Sequence, residues 1–266
     1  VGCGVGSSVV FACMALAMAI NTRKHRLEPE FRLWRRIFKP KWQRVRQLVS
    51  IGLPIGIAIF FEVSLFSVIA LFLTDLGPTV VAGHQVALNV SSLTFMVPLS
   101  VGLALTVRVG HHLGAGANDL AQRTAWLGIR LNLAFAVCNA SLIVWLSSTI
   151  ASLYSPDPEV VALATSLLLF AALFQLSDSI QVSAASALRG YQDTLPVMAI
   201  TFIAYWLVGL GLGYWLAFDG EMIGGPLGAK GFWIGLVIGL TVAAMALSWR
   251  LARVARRQHL SGTGIG

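Results

Sequence analysis

Charged side chains are scarce in this sequence: they make up 11% of its 266 residues, with 11 acids set against 19 Lys and Arg. Soluble domains carry about 25% charged residues, so a water-surrounded globule is excluded. Cysteine is scarcer still. Cys3, Cys13 and Cys138 lie in apolar stretches without the close pairing that a metal site needs, and buried free thiols are expected. No HExxH, GxSxG, Walker A or GxGD-type aspartate pair occurs, which leaves an enzymatic reading without a motif. "GLGLG" at 209–213 lies inside an apolar run and is expected to pack helices, not to cradle phosphate.

What the chain has in excess is apolar sequence, 57% by count. Crossing a hydrocarbon core of about 30 Å takes roughly 20 helical residues. Runs of that order lie near 1–20, 48–73, 79–107, 124–150, 160–188, 195–217 and 231–249. The expected class is an all-α, polytopic membrane protein. The first run is not expected to be a signal peptide, because basic residues follow it rather than lead into it. It reads instead as the interior of a helix, so a chain that continues upstream is expected.

Basic residues set the expected orientation, since loops on the cytoplasmic side collect Lys and Arg. Ten lie between residues 21 and 47, and Arg108, Arg123, Arg130, Arg189, Arg250, Arg253, Arg256 and Arg257 fall on the same side if the spans alternate. Lys230 alone falls opposite. Topology accounts for the +8 net charge, nucleic acid is not needed as a partner, and a cytoplasmic C-terminus follows. Residues 21–47 interleave Phe31, Trp34, Phe38 and Trp42 with these cations, broken by Pro40. A basic amphipathic segment lying on an anionic leaflet is expected there. The other connections are short. In "SPDPE", Asp157 and Glu159 suit the first turn of a helix. In "GLPIG", Gly52, Pro54 and Gly56 predict a span that packs closely and bends.

Most acids fall in connections or at helix ends. Glu62 and Asp178 do not. Each lies about 15–25 Å from the nearer end of its span at 1.5 Å per residue, beyond the reach of a short side chain to water. A charge at the bilayer centre costs about 2.5–3.5 kcal/mol even on lenient scales. Both carboxyls are therefore expected to face a cavity or a cation, or else to be protonated and bonded to a neighbouring helix. Helical spacing lines up Gln175, Asp178, Gln181 and Ala185 on one span, and Gln85, Asn89 and Ser92 on another. Such oxygens suit sodium, protons or an organic cation. The amides also suit plain helix-to-helix glue. His84 reads as a packed, hydrogen-bonded histidine, and His111 and His112 as groups at a helix C-terminus.

Three runs carry a resemblance: "GLPIGIAIFFEVSLF", "LGPTVVAGHQVALNVSSLTFMVPLSVGLALTVRVGHHLGAG" and "ALRGYQDTLPVMAITFIAYWLVGLGLGYWLAF". Over about residues 46–255 the chain resembles the C-terminal lobe of MATE (multidrug and toxic compound extrusion) transporters, in their NorM-like branch. The resemblance implies a six-helix lobe, helices 7–12 of twelve, at 48–255. It makes 1–20 the end of helix 6, 21–47 a cytoplasmic link between lobes, and 256–266 a cytoplasmic tail.

It also implies a multi-pass protein of a bacterial inner membrane, exporting amphipathic and often cationic drugs in exchange for sodium or protons by alternating access. No cofactor is implied beyond that coupling ion. The partners implied are drug, lipid and an N-terminal lobe. By position, Glu62 and Asp178 resemble the cation-coupling carboxylates, which hold sodium or drug, with Gln85 as a polar neighbour and Phe95 as a nearby aromatic. Asn89 follows from the stripe that Gln85 begins. Asp157 resembles an external-loop acid that contacts cationic drugs. One position departs. Where sodium-coupled relatives commonly have tyrosine one turn before the aspartate, this chain has Phe174, which offers a ring face but no phenolic oxygen. Two other readings stay open: a lipid-linked flippase of the same superfamily, and an intramembrane hydrolase using Glu62 and Asp178 as acid and base.

Overall fold

A computed structural model of the chain describes residues 2–24, 41–219 and 225–262. Among these every regular element is a helix. α1 is Gly2–Lys24, α2 Trp42–Leu73, α3 Pro78–Gly114, α4 Asn118–Tyr154 and α5 Pro158–Gly190. α6 covers Thr194–Phe218 and α7 Ala229–Gly262. Two compact units result, residues 1–50 and 51–266. The first holds α1 and the opening turns of α2, the second all that follows.

Six helices, α2 to α7, are long and apolar enough to cross a membrane. The sequence suggests seven such runs. α1 is not among the six; the apolar stretch counted on it among the described residues is Ser8–Ile20. The expected amphipathic segment lies mostly outside the described residues, including Phe31, Trp34, Phe38 and Pro40. Trp42 is the first residue of α2.

The helices outrun their apolar stretches, because polar residues continue a helix readily once it leaves hydrocarbon. α3 and α4 are separated only by residues 115–117, where Gly116 takes a positive φ of 72°. Gly77, at φ 98°, turns the chain into Pro78, the first residue of α3. Between α4 and α5, Asp157 Oδ1 accepts the Glu159 amide at 3.0 Å, with Pro158 opening the helix. Past α5, Gln192 at φ 61° closes the turn into α6. There Asp193 receives both Nε (2.7 Å) and Nη2 (3.0 Å) of Arg250 from α7. This bidentate pair is partly exposed, so Asp193→Asn is expected to cost about 1 kcal/mol or less, read as a melting shift of a few degrees in detergent.

α5 is the central element. Val160, Ala164, Leu167, Leu168, Ala171 and Leu188 are all buried on it, and α3, α4 and α7 pack around it. The approach to α3 is close, since a Cβ at Gly102 would lie 2.7 Å from Ser186 Oγ, and Thr106 Oγ1 donates to the Ser186 carbonyl at 2.9 Å. α4 is tied in by buried Asn132, whose amide donates to Ser183 Oγ (2.7 Å) and to the Pro98 carbonyl (3.2 Å). The outward faces are apolar: Leu153 is 81% exposed and Trp145 80%. That is the surface of a protein solvated by lipid.

α6 is α-helical over Thr194–Phe202, π-helical over Ile203–Leu210 and α-helical again over Gly211–Phe218. It meets α7 backbone to backbone. A Cβ added at Gly235 would lie 2.4 Å from the Gly209 carbonyl and 2.5 Å from Gly213 Cα, and one at Gly239 would lie 2.6 Å from the Ala204 carbonyl. "GLGLG" thus packs helices, and its partner is the Gly231, Gly235, Gly239 series at four-residue spacing.

Two expectations are corrected. Cys13 and Cys138 are free thiols but exposed, because a thiol suits a lipid-facing surface as well as a core. Among the described residues Gly52 and Gly56 meet nothing within 4 Å where a Cβ would stand, so the close packing expected of "GLPIG" is not made there, while Pro54 is buried inside α2.

Candidate functional site

Glu62 of α2 and Asp178 of α5 line one cavity of 340 Å³. The buried apolar core beside them sets their level. Leu65, Ile69 and Leu73 anchor one face of α2 against α3, α5 and α7, and Glu62 stands about one turn before Leu65 on that inward side. Asp178 is 4% exposed, while Glu62 is half-buried. Neither carboxylate makes a hydrogen bond or ion pair among the described residues, so the expected bond to a neighbouring helix is not formed. The two interact electrostatically with each other. Two like charges in one low-dielectric cavity are stable only when a cation or a proton neutralises them.

The remaining wall is mostly aromatic. Phe66, Phe95, Phe174 and Trp233 line it, with Ser67, Ser91 and Ser92 as its hydroxyls. Phe174 meets Phe66 and Trp233 edge-on, each at a centroid separation of 6.1 Å. Ser91 Oγ is buried and has no hydrogen-bond partner among the described residues, which leaves an oxygen available beside the carboxylates. Among the described residues no group of three or more His, Cys, Asp or Glu is assembled. The donor set is carboxylate and hydroxyl, suited to hard monovalent cations rather than to zinc-type ions.

Of the residues singled out from sequence, the cavity unites Glu62, Asp178, Phe95 and Phe174. Gln85 and Asn89 stand apart. Both are exposed and bonded to each other, Gln85 Nε2 donating to Asn89 Oδ1 at 3.2 Å. They share a helix face with Ser92 but sit up to two turns away along the axis, and Ser92 is the member of that stripe that reaches the cavity. Gln175 leaves its own stripe to accept from the Asn139 amide of α4, a bond between helices. Asp157 caps α5 21 residues before Asp178, about 30 Å along the helix at 1.5 Å per residue.

Several neighbours have no sequence signal of their own. Trp233 is one. Arg189, assigned above to a connection, is in the last turn of α5; its Nε is buried and it interacts electrostatically with Glu62. A long aliphatic stem lets its guanidinium reach inward from the helix end. Tyr205, from the π-helical stretch, is 1% exposed, its hydroxyl has no hydrogen-bond partner among the described residues, and it interacts electrostatically with both carboxylates. The contact that brings it to this level is next to it: Trp206 Nε1 donates to the Phe61 carbonyl at 3.2 Å. A tyrosine in mid-span is the one cue that the sequence offered.

A bundle of membrane-length helices around an acid-lined, aromatic-walled cavity defines the class, a polytopic membrane protein. Residues 54–215 match the MatE family model, and the chain belongs to that family of multidrug efflux transporters, which are not enzymes. It is 50% identical over 256 residues to the multidrug resistance protein PmpM of Pseudomonas aeruginosa, covering 96% of this chain and 54% of that protein. Over 261 residues it is 47% identical to the probable multidrug resistance protein NorM of Shewanella oneidensis, covering 98% of this chain and 57% of that one. The chain therefore spans about half the length of the curated relatives it matches. In fold it is similar to the Vibrio cholerae MATE transporter VcmN (TM-score 0.76, 17% identity, 92% of this chain and 55% of that one). It is also similar to the eukaryotic MATE transporter AtDTX14 (TM-score 0.72, 21% identity, 83% of this chain and 50% of that one).

Proposed function

We propose that this chain forms the C-terminal, cation-coupled lobe of an antiporter that exports amphipathic, often cationic drugs by alternating access. The observation that carries the reading is the shared cavity: two carboxylates from different helices, aromatic walls, and no hydrogen-bond partner for either acid among the described residues. In this reading, Glu62 and Asp178 hold a cationic drug while the site is open to the cytoplasm. Sodium or protons arriving from outside neutralise the same acids and release it. Coupling is then competition for two charges, with Ser91 and the other hydroxyls completing the shell of a bound ion and the ring faces of Phe95 and Phe174 holding an organic cation. A cavity of 340 Å³ lies at the small end of ligand pockets, roughly 300–1,000 Å³, so large drugs would share a site with the N-terminal lobe.

The same proposal covers the division of the chain. Residues 1–20 end helix 6, 21–47 link the lobes, 48–255 form the lobe and 256–266 a tail. The excess of Arg and Lys at one set of helix ends supports a cytoplasmic C-terminus in a bacterial inner membrane. Gln85 and Asn89 serve as polar surface toward the other lobe, and Asp157 as an acid of the external mouth.

The test is transport by a full-length protein carrying this chain, in proteoliposomes with a sodium or a proton gradient imposed alone. Drug uptake into or expulsion from the vesicles is expected with at least one gradient and its loss when that gradient is collapsed. Turnover that persists in detergent without any gradient would refute the antiport. The flippase reading wants cations in the membrane interior, and among the described residues Arg189 is the one that leans that way; its electrostatic interaction with Glu62 supports an internal counter-charge instead.

A further inference from the structure

His84 is a buried histidine that the coupling scheme does not use. It is 1% exposed, on α3, behind the cavity wall. Its Nδ1 accepts the indole N–H of Trp233 from α7 at 3.2 Å, and the two rings meet edge-on at 5.9 Å. Since Nδ1 is the acceptor, the proton of a neutral imidazole sits on Nε2, which has no partner among the described residues. Among the described residues the bond to Trp233 is thus the one polar contact this side chain makes, and a buried imidazole with a single bond is an expensive way to fill space. Trp233 in turn lines the cavity beside Asp178 and touches Phe174, which touches Phe66. One hydrogen bond therefore stands behind a run of aromatic edges that joins four helices.

We propose that His84 is a positioning residue: its hydrogen bond fixes the indole of Trp233 as a rigid wall of the cavity, and the plane so fixed selects which cation shapes the site accepts. The inference rests on the export reading above. Trp233 is fully buried, so packing keeps its rotamer; without that acceptor the indole N–H would be left unpaired and the ring would tilt within its packing toward another partner, changing the width of the cavity without touching either carboxylate. Bulky aromatic cations that press on the wall would feel the change, and small ones that contact only the acids would not.

The test uses a full-length transporter carrying this chain, with ¹⁵N-labelled indoles and the Trp233 resonance assigned by Trp233→Phe. His84→Phe keeps a flat ring but offers no acceptor, whereas His84→Asn places an oxygen close to the position of Nδ1. We expect the Trp233 indole resonance to move in His84→Phe and to return toward wild type in His84→Asn. Binding of tetraphenylphosphonium is expected to weaken about tenfold in His84→Phe and less than twofold in His84→Asn, with tetramethylammonium unchanged in both. If His84→Phe does not fold, β-(3-benzothienyl)alanine at position 233 removes the N–H with the ring shape kept, and the same change of selectivity is expected. An unmoved resonance, or a moved one with the ratio of the two affinities unchanged, overturns the proposal. Wild-type protein that binds neither cation overturns it together with the export reading, and an intact indole resonance then marks the failure as one of function.

Discussion

Asp178→Asn, in a full-length transporter carrying this chain, is expected to bring drug resistance of the host cell down to that of cells lacking the transporter. The substitution is nearly isosteric, so packing around a side chain only 4% exposed is kept while the charge is lost. A charge-assisted contact is worth about 1.5–3 kcal/mol, or roughly ten- to hundredfold in affinity. The same acid is also half of the site at which ion and drug compete. Losing it removes both the attraction for a cationic drug and the means of expelling it. Glu62→Gln is expected to act in the same direction. Being half-buried, Glu62 is more open to water, which weakens its contact with a cation, so the residual efflux should be larger. Minimum inhibitory concentrations and initial efflux rates, normalised to protein in the membrane, read the effect. Wild-type resistance in both variants would remove the carboxylates from the mechanism.

Gly235→Leu is expected to abolish folding of the lobe. The atoms within 2.6 Å of a Cβ at this site are the Gly209 carbonyl oxygen and the Cα and N of Gly213. All three are backbone, so no rotamer change relieves the clash. Overpacking of movable side chains costs about 1–3 kcal/mol; separating two helices costs more and is a large share of the 5–15 kcal/mol that folded proteins have. Gly235→Ala should lower the melting temperature by about 10 °C, on the scale of a few degrees per kcal/mol, and Gly235→Leu should yield aggregate on size exclusion. The internal control is Gly211→Ala on α6, where a Cβ meets nothing within 4 Å and helix propensity gains up to about 1 kcal/mol. Equal stability of the two alanine variants would refute the packing argument.

These two variants mark what could be read from the residues and what could not. The carboxylates were legible because the cost of charge in hydrocarbon makes a mid-span acid conspicuous wherever it occurs, and helix length follows from the same solvent. The aromatic partners of the acids were half legible. Phe95 and Phe174 came by resemblance, but Phe66 and Trp233 sit in stretches where any large apolar residue would look the same. Spacing along one helix puts Asn89 and Ser92 on one face but does not say that Ser92 alone of that stripe reaches the cavity, and Gln85, which came by resemblance, is bonded to Asn89 outside it. Gln175 shows the complementary limit: its amide answers to Asn139, on a helix that periodicity alone does not bring near. Tertiary pairing is a property of two segments at once, and a single sequence prints each segment separately.

The π-helical stretch Ile203–Leu210 has a bearing beyond the contacts it makes. Opening one turn of a helix by a residue retards everything after it by about 100°, since each residue of an α-helix advances by that angle. Gly213, which lies against Phe232, therefore points where it does by virtue of a phase shift several residues upstream, as does Gly209 within the shift itself. The spacing between Tyr205 and Gly213 is in effect a calibrated offset: one end is dialled toward the carboxylates and the other toward the glycine seam on α7. A relative that lost one residue here could keep every side chain and still present the wrong ones to both neighbours. Insertions and deletions in this stretch, not substitutions, are the changes that homologous chains should avoid.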